Sequence, residues 1–223
     1  LSTSEAVLFF EDKTTKSSAE DAFLRGEKRV LNLKCTDISK VKVDEVHQNI
    51  FKYNTFVDPA THQGKAVLKS DENAMHDGKI IECPQENLPT DKVVQVVIDN
   101  TVDSDTVMDY RIALIGNQLP VAYKKFKSME KRFTNDVHRS ELIDMHSFFS
   151  DEEQTLILAF AEAMELDFAE FDVLRNKLSG KMYIIDVNTT PYGPPAELPE
   201  ADRSKAVKAL SKAFRDLIST PEN

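Results

Sequence analysis

Apolar residues along this chain fall into short runs separated by polar turns, and most of the runs have the length of β-strands. The clearest are residues 64–69, 93–98 and 109–115, and they are followed by Ser70, Asp99 and Gly116. Two other segments repeat apolar residues every three to four positions, which is typical of helices packed on one side. One follows Ser150, and the other includes Val207. The pattern predicts a mixed protein of several strands and a few amphipathic helices.

A predicted β-hairpin in the last third of the chain carries several side chains with oxygen atoms. Two apolar runs, 171–174 and 182–187, flank a polar connector that ends in glycine. In such a hairpin Asp172 lies roughly opposite Asp186, and Asn188 projects from the same face as Asp186, about 6–7 Å further along. Two carboxylates and an amide oxygen suit Mg²⁺ or Mn²⁺, with substrate phosphates completing the coordination shell. Ordinary turn chemistry at the strand ends is the alternative.

Length and composition narrow the class of protein. With 223 residues, 41% hydrophobic and 30% charged, the chain is expected to be a soluble globular protein of one large or two small domains. It has no apolar run near the ~20 residues of a membrane span. A net charge of −10 argues against a broad nucleic-acid interface. We therefore expect neither a membrane nor a nucleic acid as a partner.

The cysteines, the histidines and the first residue add smaller indications. Cys35 and Cys83 form neither a disulfide pattern nor a metal-binding pair, which favours reduced thiols in a cytoplasmic protein. The five histidines are scattered, so a zinc site is not expected. The sequence starts with Leu-Ser-Thr, which leaves a processed or truncated form of a longer protein open.

The hairpin and the segment that follows it resemble the ATP-grasp superfamily, which includes D-alanine–D-alanine ligase, glutathione synthetase and biotin carboxylase. In that family an acidic residue on one strand and an acid-x-Asn pair on the next hold the metal ions that bridge the nucleotide phosphates. The resemblance implies that Asp172, Asp186 and Asn188 bind Mg²⁺ (or Mn²⁺) together with ATP. It also implies an α+β fold, the ATP-grasp fold, with the nucleotide between two α+β lobes.

The resemblance spans roughly residues 30–215 and divides the chain into three parts. Residues 1–36 correspond to a shortened remnant of a Rossmann-like domain, 37–95 to the N-lobe and 96–223 to the C-lobe. The shortening matters, because the full domain often helps to bind the second substrate. Within the remnant, the pattern itself predicts strands at 6–10 and 29–35 and a brief helix between 17 and 24.

Two lysines match family residues that reach the nucleotide phosphates. Lys40 precedes a helix predicted to run to about Phe51, and Lys69 ends a strand in front of a polar loop, residues 71–78. An ammonium group here would neutralise phosphate charge while the loop excludes water. The alternative for Lys40 is a solvated lysine beside a helix cap. His76 in the loop is either a phosphate contact or an exposed loop residue.

The apolar run at 93–99 is predicted to be a buried strand, and it matches the family's hinge between the lobes. In the family, backbone groups of this hinge read the adenine edge. The resemblance therefore assigns backbone contacts to Val96, Val97 and Ile98, with Gln95 preceding them. It leaves the ribose to Asp99 or Asp103.

Three further residues match positions that face the reaction centre in the family. Arg111 stands in a D-x-R unit followed by strand, Gly-Asn turn and strand, and it would face the transferred phosphoryl group. The alternative is a surface ion pair, for example with Asp109. Lys125 and Asn135 match a basic residue and an asparagine, although the family usually has arginine at the first position. The basic run around them, 124–135, has a nucleic-acid patch as its alternative.

The expected function is that of a Mg·ATP-dependent ligase. Most of the family activates a carboxylate as an acyl phosphate, which an amine or another nucleophile then attacks. The first expected substrate is a small-molecule or peptide carboxylate. A kinase acting on a small molecule and a non-catalytic nucleotide-binding subunit remain alternatives. The sequence leaves a homodimer, or assembly with a partner subunit, open.

Overall fold

The computed structural model describes residues 6–17, 20, 25 and 30–219, and it begins with two short strands. Strands β1 (Val7–Leu8) and β2 (Val30–Leu31) pair in parallel. The strand predicted at 29–35 was too long, because Asn32 has a φ of 57° and ends the extended backbone. Most of the helix predicted between 17 and 24 lies outside the described residues.

Helix α1 (Lys40–Phe51) follows and confirms the helix predicted there. Ser39 caps it, since its side chain accepts a hydrogen bond from the Lys42 backbone N–H. The helix ends at Lys52, which is in the left-handed conformation.

A three-stranded antiparallel sheet comes next in the chain. It consists of β3 (Gly64–Ser70), β4 (Lys79–Cys83) and β5 (Lys92–Val96), in the spatial order β4-β3-β5. β3 and β4 confirm the predicted hairpin around the polar loop. β5 is shorter than predicted, because its pairing with β3 ends at Val96 opposite Ala66.

A larger antiparallel sheet forms the second half of the molecule. Its strands are β6 (Thr106–Ile115), β7 (Ala122–Ser128), β8 (Arg139–Ile143), β9 (Phe168–Arg175) and β10 (Met182–Asn188), ordered β10-β9-β6-β7-β8. β6 ends at the predicted Gly-Asn turn, where Gly116 has a φ of 59°, which favours glycine. In the predicted hairpin Asp186 lies opposite Asp172, as expected, with a register shift between Ile184 and Asp186.

The remaining described helices lie around this sheet. They are α2 (Met145–Phe148), α3 (Asp151–Ala163) and α4 (Glu200–Ser219), and a 3₁₀ turn covers Met129–Lys131. The predicted capping box at the start of α3 is confirmed: Ser150 accepts from the Glu153 N–H, and the Glu153 side chain accepts from the Ser150 N–H. None of the helices in the described part of the chain has the length and apolar character needed to cross a membrane.

The two faces of the five-stranded sheet differ sharply. One face packs against α1 and α3 and forms the main core, with Ile112, Phe160, Phe171, Val173 and Ile184 fully buried. Alternate residues on the same strands point the other way, toward the three-stranded sheet, and many of these are charged. The core therefore fixes the position of a polar face.

Candidate active site

Charged and amide side chains line the polar face of the five-stranded sheet. From β7 across to β10 they are Lys125, Lys127, Asp109, Arg111, Glu170, Asp172, Asp186 and Asn188. The register puts Arg111 opposite Asp172 and Asp172 opposite Asp186. Directly opposed residues project from the same face of a sheet, so these side chains form one continuous floor.

Two adjoining cavities lie over this floor. The lysine cavity, about 130 Å³, is lined by residues that include Lys40, Lys69, Gln95, Val96, Ile98 and Lys127. The arginine cavity, about 430 Å³, is lined by residues that include Arg111, Lys125, Glu170, Asn188, Thr190 and Glu197. Ala74, His76, Asn135, Asp172 and Asp186 line both. The structure thus brings the expected phosphate ligands and the expected reaction-centre residues to two sides of one acidic pair.

In the lysine cavity two ammonium groups point to backbone carbonyls. Lys40 Nζ donates to the Glu72 carbonyl oxygen at 2.8 Å, and Lys69 Nζ to that of Ile185 at 3.4 Å. Burial lowers the pKa of Lys69 to about 8, against the opposing effect of Asp186. Lys40 is buried, so its solvated alternative is wrong.

Two of the three hinge residues predicted to contact adenine line the lysine cavity. Val96 and Ile98 line the cavity, whereas Val97 is not among its lining residues. The Val96 N–H donates to the Thr55 carbonyl at 2.8 Å, and the Ile98 carbonyl accepts from Arg132 at 3.2 Å. Adenine recognition by this backbone stays a prediction, and adenine has to compete with these two bonds.

Side chains next to the hinge also have hydrogen-bond and ion-pair partners within the protein. Gln95 donates from its side chain to the Thr55 hydroxyl at 3.2 Å, while that hydroxyl donates to buried Asp44 at 2.7 Å. Asp99 forms an ion pair with Lys177 at 3.2 Å, and Asp103 is exposed. Neither of these two aspartates lines the lysine cavity, so the predicted ribose contact stays unassigned.

An ion-pair network fills the floor between the cavities. Arg111 binds Asp172 with two hydrogen bonds, Nε to Oδ1 at 2.9 Å and Nη2 to Oδ2 at 2.8 Å. Arg111 also reaches Glu170 at 3.4 Å, and Lys125 Nζ lies 3.5 Å from Asp172. The surface pair between Arg111 and Asp109 is therefore wrong, because Asp109 pairs with Lys127 at 2.8 Å.

The network separates the pKa values of the carboxyl groups. Burial alone would raise the pKa of Asp172, but Arg111 and Lys125 hold it well below its usual range. Burial raises the pKa of Asp186, opposed by Lys40 and Lys69, and it raises the pKa of Glu170 to about 6.

The three expected metal ligands lie on adjacent strands but already have partners in the protein. Both oxygens of Asp172 contact Arg111, and Asn188 Oδ1 accepts from the backbone N–H and hydroxyl of Thr190 at 2.9 and 3.0 Å. In the described ranges, no three His, Cys, Asp or Glu side chains cluster at metal-binding spacing. Two carboxylates and an amide oxygen nonetheless match the hard oxygen ligands that Mg²⁺ prefers.

Asn135 reaches the cleft through a contact that the sequence did not predict. Its Nδ2 lies 2.8 Å from His76 Nε2, which joins the loop after β3 to the segment after β7. His76 is an exposed loop residue, which confirms that alternative, and it also lines both cavities; its phosphate contact stays a prediction.

The basic run at 124–135 does not form an exposed basic surface. Lys125 and Lys127 are buried in the cleft with carboxylate partners, and Lys124 lies over the Phe148 ring. The nucleic-acid alternative lacks the surface that it requires.

Sequence reasoning missed Glu170, which is 3% exposed and lines the arginine cavity. It lies opposite Asn188 and two residues before Asp172, on the same face of β9. The period of two along a strand, applied backward from Asp172, would have found it.

Comparison with known proteins places this geometry in a family. Residues 60–197 match the family model described as the RimK-like ATP-grasp domain. No curated protein matches the chain in a sequence search.

Solved ATP-grasp structures share the fold. The VanG D-Ala:D-Ser ligase from Enterococcus faecalis aligns with a TM-score of 0.60 and 12% identity, over 96% of this chain and 71% of that one. The D-alanine–D-alanine ligase from Bacillus anthracis, complexed with ATP, aligns with a TM-score of 0.54 and 13% identity, over 100% and 82%. At these identities the likeness concerns the fold alone, and it confirms the predicted α+β ATP-grasp fold.

A third similar structure is the ATP-grasp ligase PsnB, complexed with the precursor peptide PsnA2 and AMPPNP. It aligns with a TM-score of 0.55 and 15% identity, over 91% of this chain. This chain spans 66% of the PsnB chain, a little less than two thirds.

Proposed function

Because the chain belongs to the RimK-like ATP-grasp family, we propose that it is a Mg·ATP-dependent ligase. One observation carries the proposal. A single polar sheet face runs under both cavities, with Asp172 and Asp186 at the boundary, Lys40 and Lys69 on one side and Arg111 on the other. Such a floor holds a triphosphate on the lysine side with its terminal phosphate directed toward the arginine side.

The lysine cavity is the proposed ATP site. Lys40 and Lys69 bind the phosphates, since their ammonium groups lie on the same side as Asp186. The backbone of Val96 to Ile98 contacts the adenine. The loop at 71–78 covers the phosphates, and its contact between His76 and Asn135 closes it over the cleft.

Asp172, Asp186 and Asn188 are the proposed ligands of Mg²⁺ or Mn²⁺. The bound ion supplies neutralising charge to the phosphate oxygens. Arg111 and Lys125 keep the Asp172 carboxyl ionised, which is the form that a metal ion requires. Asp186 lines both cavities and is therefore the proposed ligand at the boundary between ATP and the acceptor.

Arg111, Lys125 and Asn135 act on the reacting groups. An oxygen of the substrate carboxylate attacks the terminal phosphorus, and the bond to ADP breaks. A nucleophile such as an amine then attacks the carbonyl carbon, phosphate leaves, and the nucleophile loses a proton. Arg111 and Lys125 stabilise the negative charge that develops in both steps, since they flank the boundary between the cavities.

The proposed substrate class is a small-molecule or peptide carboxylate. The arginine cavity, about 430 Å³, is large enough for a compact substrate or for the end of a peptide. The structure of the similar ligase PsnB contains a precursor peptide, which supports a peptide as the carboxylate substrate.

Release of ADP and phosphate from Mg·ATP tests the function. The purified chain is supplied with pooled carboxylates and pooled amines, separately and together. A ligase releases both ADP and phosphate only when both pools are present, and Asp186→Asn abolishes the release. ADP without free phosphate, with a phosphorylated acceptor, identifies a kinase. Binding of Mg·AMPPNP without turnover of any pool identifies a nucleotide-binding subunit, and either result overturns the ligase.

A further inference from the structure

A third cavity, about 450 Å³, opens at the ends of β6 and β9 beside α4. We call it the apolar cavity, because most of its lining among the described residues is apolar. Leu8, Leu114, Phe168, Pro191, Leu210 and Phe214 contribute to it. Phe168 and Phe214 meet edge to face with their ring centroids 6.0 Å apart. None of the proposed ATP or metal residues lines this cavity.

The apolar cavity adjoins the arginine cavity. Glu170 and Gly193 line both, so the two cavities meet at this pair. The Glu170 carboxylate is nearly buried, and its only hydrogen-bond partner among the described residues is Arg111, at 3.4 Å through one oxygen. A negative charge therefore lies where the polar cavity gives way to the apolar one.

Charges of opposite sign on the floor suit two different ligand groups, a carboxylate and an ammonium group. Arg111 and Lys125 provide positive charge next to the boundary with the ATP site, which suits the carboxylate and its phosphorylated form. Glu170 provides negative charge at the far side of Arg111, which suits an ammonium group. An apolar substituent on the carbon beside that ammonium group would then enter the apolar cavity.

Resting on the proposed function, we propose that the nucleophile is a primary amine whose adjacent carbon carries a large apolar side chain, of the size of leucine. Glu170 binds the ammonium group before the reaction, this group loses one proton to solvent to become the attacking amine, and the apolar cavity holds the side chain. The site selects the amine by burying apolar surface and by pairing one charge.

Binding of three probes tests this directly, by calorimetric titration of the protein with and without Mg·AMPPNP. The probes are leucinamide, glycinamide and N-acetyl-leucinamide. Leucinamide is expected to bind about ten-fold or more tightly than glycinamide, since it buries a whole apolar side chain. N-acetyl-leucinamide, which lacks the ammonium group, is expected to bind about ten-fold more weakly than leucinamide.

Matched variants assign each contact. Ser211→Trp fills the apolar cavity from an exposed lining position, and it is expected to remove the preference for leucinamide over glycinamide. Val207→Trp, one helical turn away and outside the lining, is expected to retain it. Phe214→Ala enlarges the cavity and is expected to shift the preference toward larger side chains. Glu170→Gln is expected to weaken leucinamide binding about ten-fold, while Glu162→Gln, at an exposed position on α3 outside the three cavities, does not.

Equal affinity for leucinamide and glycinamide, or an unchanged preference in Ser211→Trp, overturns the inference. Absence of binding by all three probes overturns it as well. Failure of the proposed function looks different, because it appears as loss of Mg·AMPPNP binding in the titration without amine.

Discussion

The lysine cavity and the arginine cavity share one floor, but they differ in what builds the rest of each wall. Lys40 begins a helix and Lys69 lies near the end of a strand, while the irregular segments 74–78 and 132–135 complete the lysine cavity. The arginine cavity is closed largely by irregular segments, residues 73–76 and 190–197. Regular elements hold side chains rigidly, whereas loops vary without disturbing the fold. The segment 190–197 borders the arginine cavity but not the lysine cavity, so it can change the proposed acceptor site without altering the proposed ATP site.

The two cavities also differ in the balance of charge. On the lysine side, Lys40 and Lys69 lie close enough to Asp186 to lower its pKa against the effect of burial, and they are the proposed phosphate ligands. On the arginine side, Arg111 already contacts two carboxylates, Asp172 and Glu170. A substrate entering there meets charges of both signs within a few ångströms, which is what recognition of both a carboxylate and an amine requires.

The largest effect is expected where the cavities meet. Asp186→Asn removes a charge that both cavities share, so nucleotide binding and turnover should both fail, with ADP release about 100-fold lower or undetectable. Circular dichroism should show an unchanged fold. Asp103→Asn, at an exposed position, is the matched control. Normal activity in Asp186→Asn would mean that the shared floor has no catalytic role.

A change on the arginine side should separate the two cavities. Arg111→Lys keeps the positive charge near Asp172 but loses the paired donors, so turnover should fall about 10- to 100-fold. Affinity for Mg·AMPPNP, measured by calorimetry, should change little. Arg139→Lys, at an exposed ion pair, serves as the control. An equal loss of nucleotide affinity would show that the two cavities do not work separately.

A change on the lysine side should reveal a pH dependence. The pKa of Lys69 is lowered to about 8, so its ammonium group is charged below pH 8 and becomes neutral above it. Binding of a triphosphate then requires uptake of a proton, and affinity for Mg·AMPPNP should fall up to about ten-fold per pH unit between pH 8 and 9.5. Lys69→Arg stays charged and should flatten this dependence.

Lys65→Arg, at an exposed position on the same strand, is the control for that change and should keep the wild-type pH profile. A profile that is flat in the wild-type protein, or still steep in Lys69→Arg, would remove Lys69 from the phosphate contacts.

The smallest effect concerns the opposite face of the large sheet. His47 on α1 is fully buried, stacks on Phe51 with ring centroids 4.3 Å apart, and has no partner for either ring nitrogen among the described residues. An unsatisfied buried polar group destabilises a fold, so His47→Leu should raise the free energy of unfolding by about 1 kcal/mol. Urea unfolding at pH 7 measures the change.

The same residue gives a pH test of the apolar face. Burial lowers the pKa of His47 from 6.5 to about 4, so the unfolded chain takes up a proton first as the pH falls. Stability of the wild-type protein should therefore decrease from pH 6.5 toward pH 4, and His47→Leu should lose that part of the decrease. His62→Leu, at a partly exposed loop position, should keep it. An identical pH dependence in His47→Leu would contradict the assignment.

The features that the sequence predicted well depend on residues that are close to one another in the chain. The short connector between β9 and β10 places Asp172 roughly opposite Asp186, and a register shift between Ile184 and Asp186 sets their final pairing. The start of α3 follows from one capping box. Both are contacts between residues near one another in the chain.

What it did not predict depends on contacts across the chain. Arg111 and Asp172 are 61 positions apart, and their pairing follows from the register of β6 against β9, which no local period specifies. The contact of His76 with Asn135 joins two loops 59 positions apart. The early end of β5 follows from where β3 stops pairing with it. These features were harder to predict because they depend on distant strands and on loops that meet only in the folded chain.

The most direct measurement is a crystal structure of the chain with Mg·AMPPNP. The phosphates should lie between Lys40 and Lys69, with a Mg²⁺ ion about 2.0–2.1 Å from carboxylate oxygens of Asp172 and Asp186. Phosphates bound away from these lysines, or a cation that neither aspartate contacts, would contradict the proposed site.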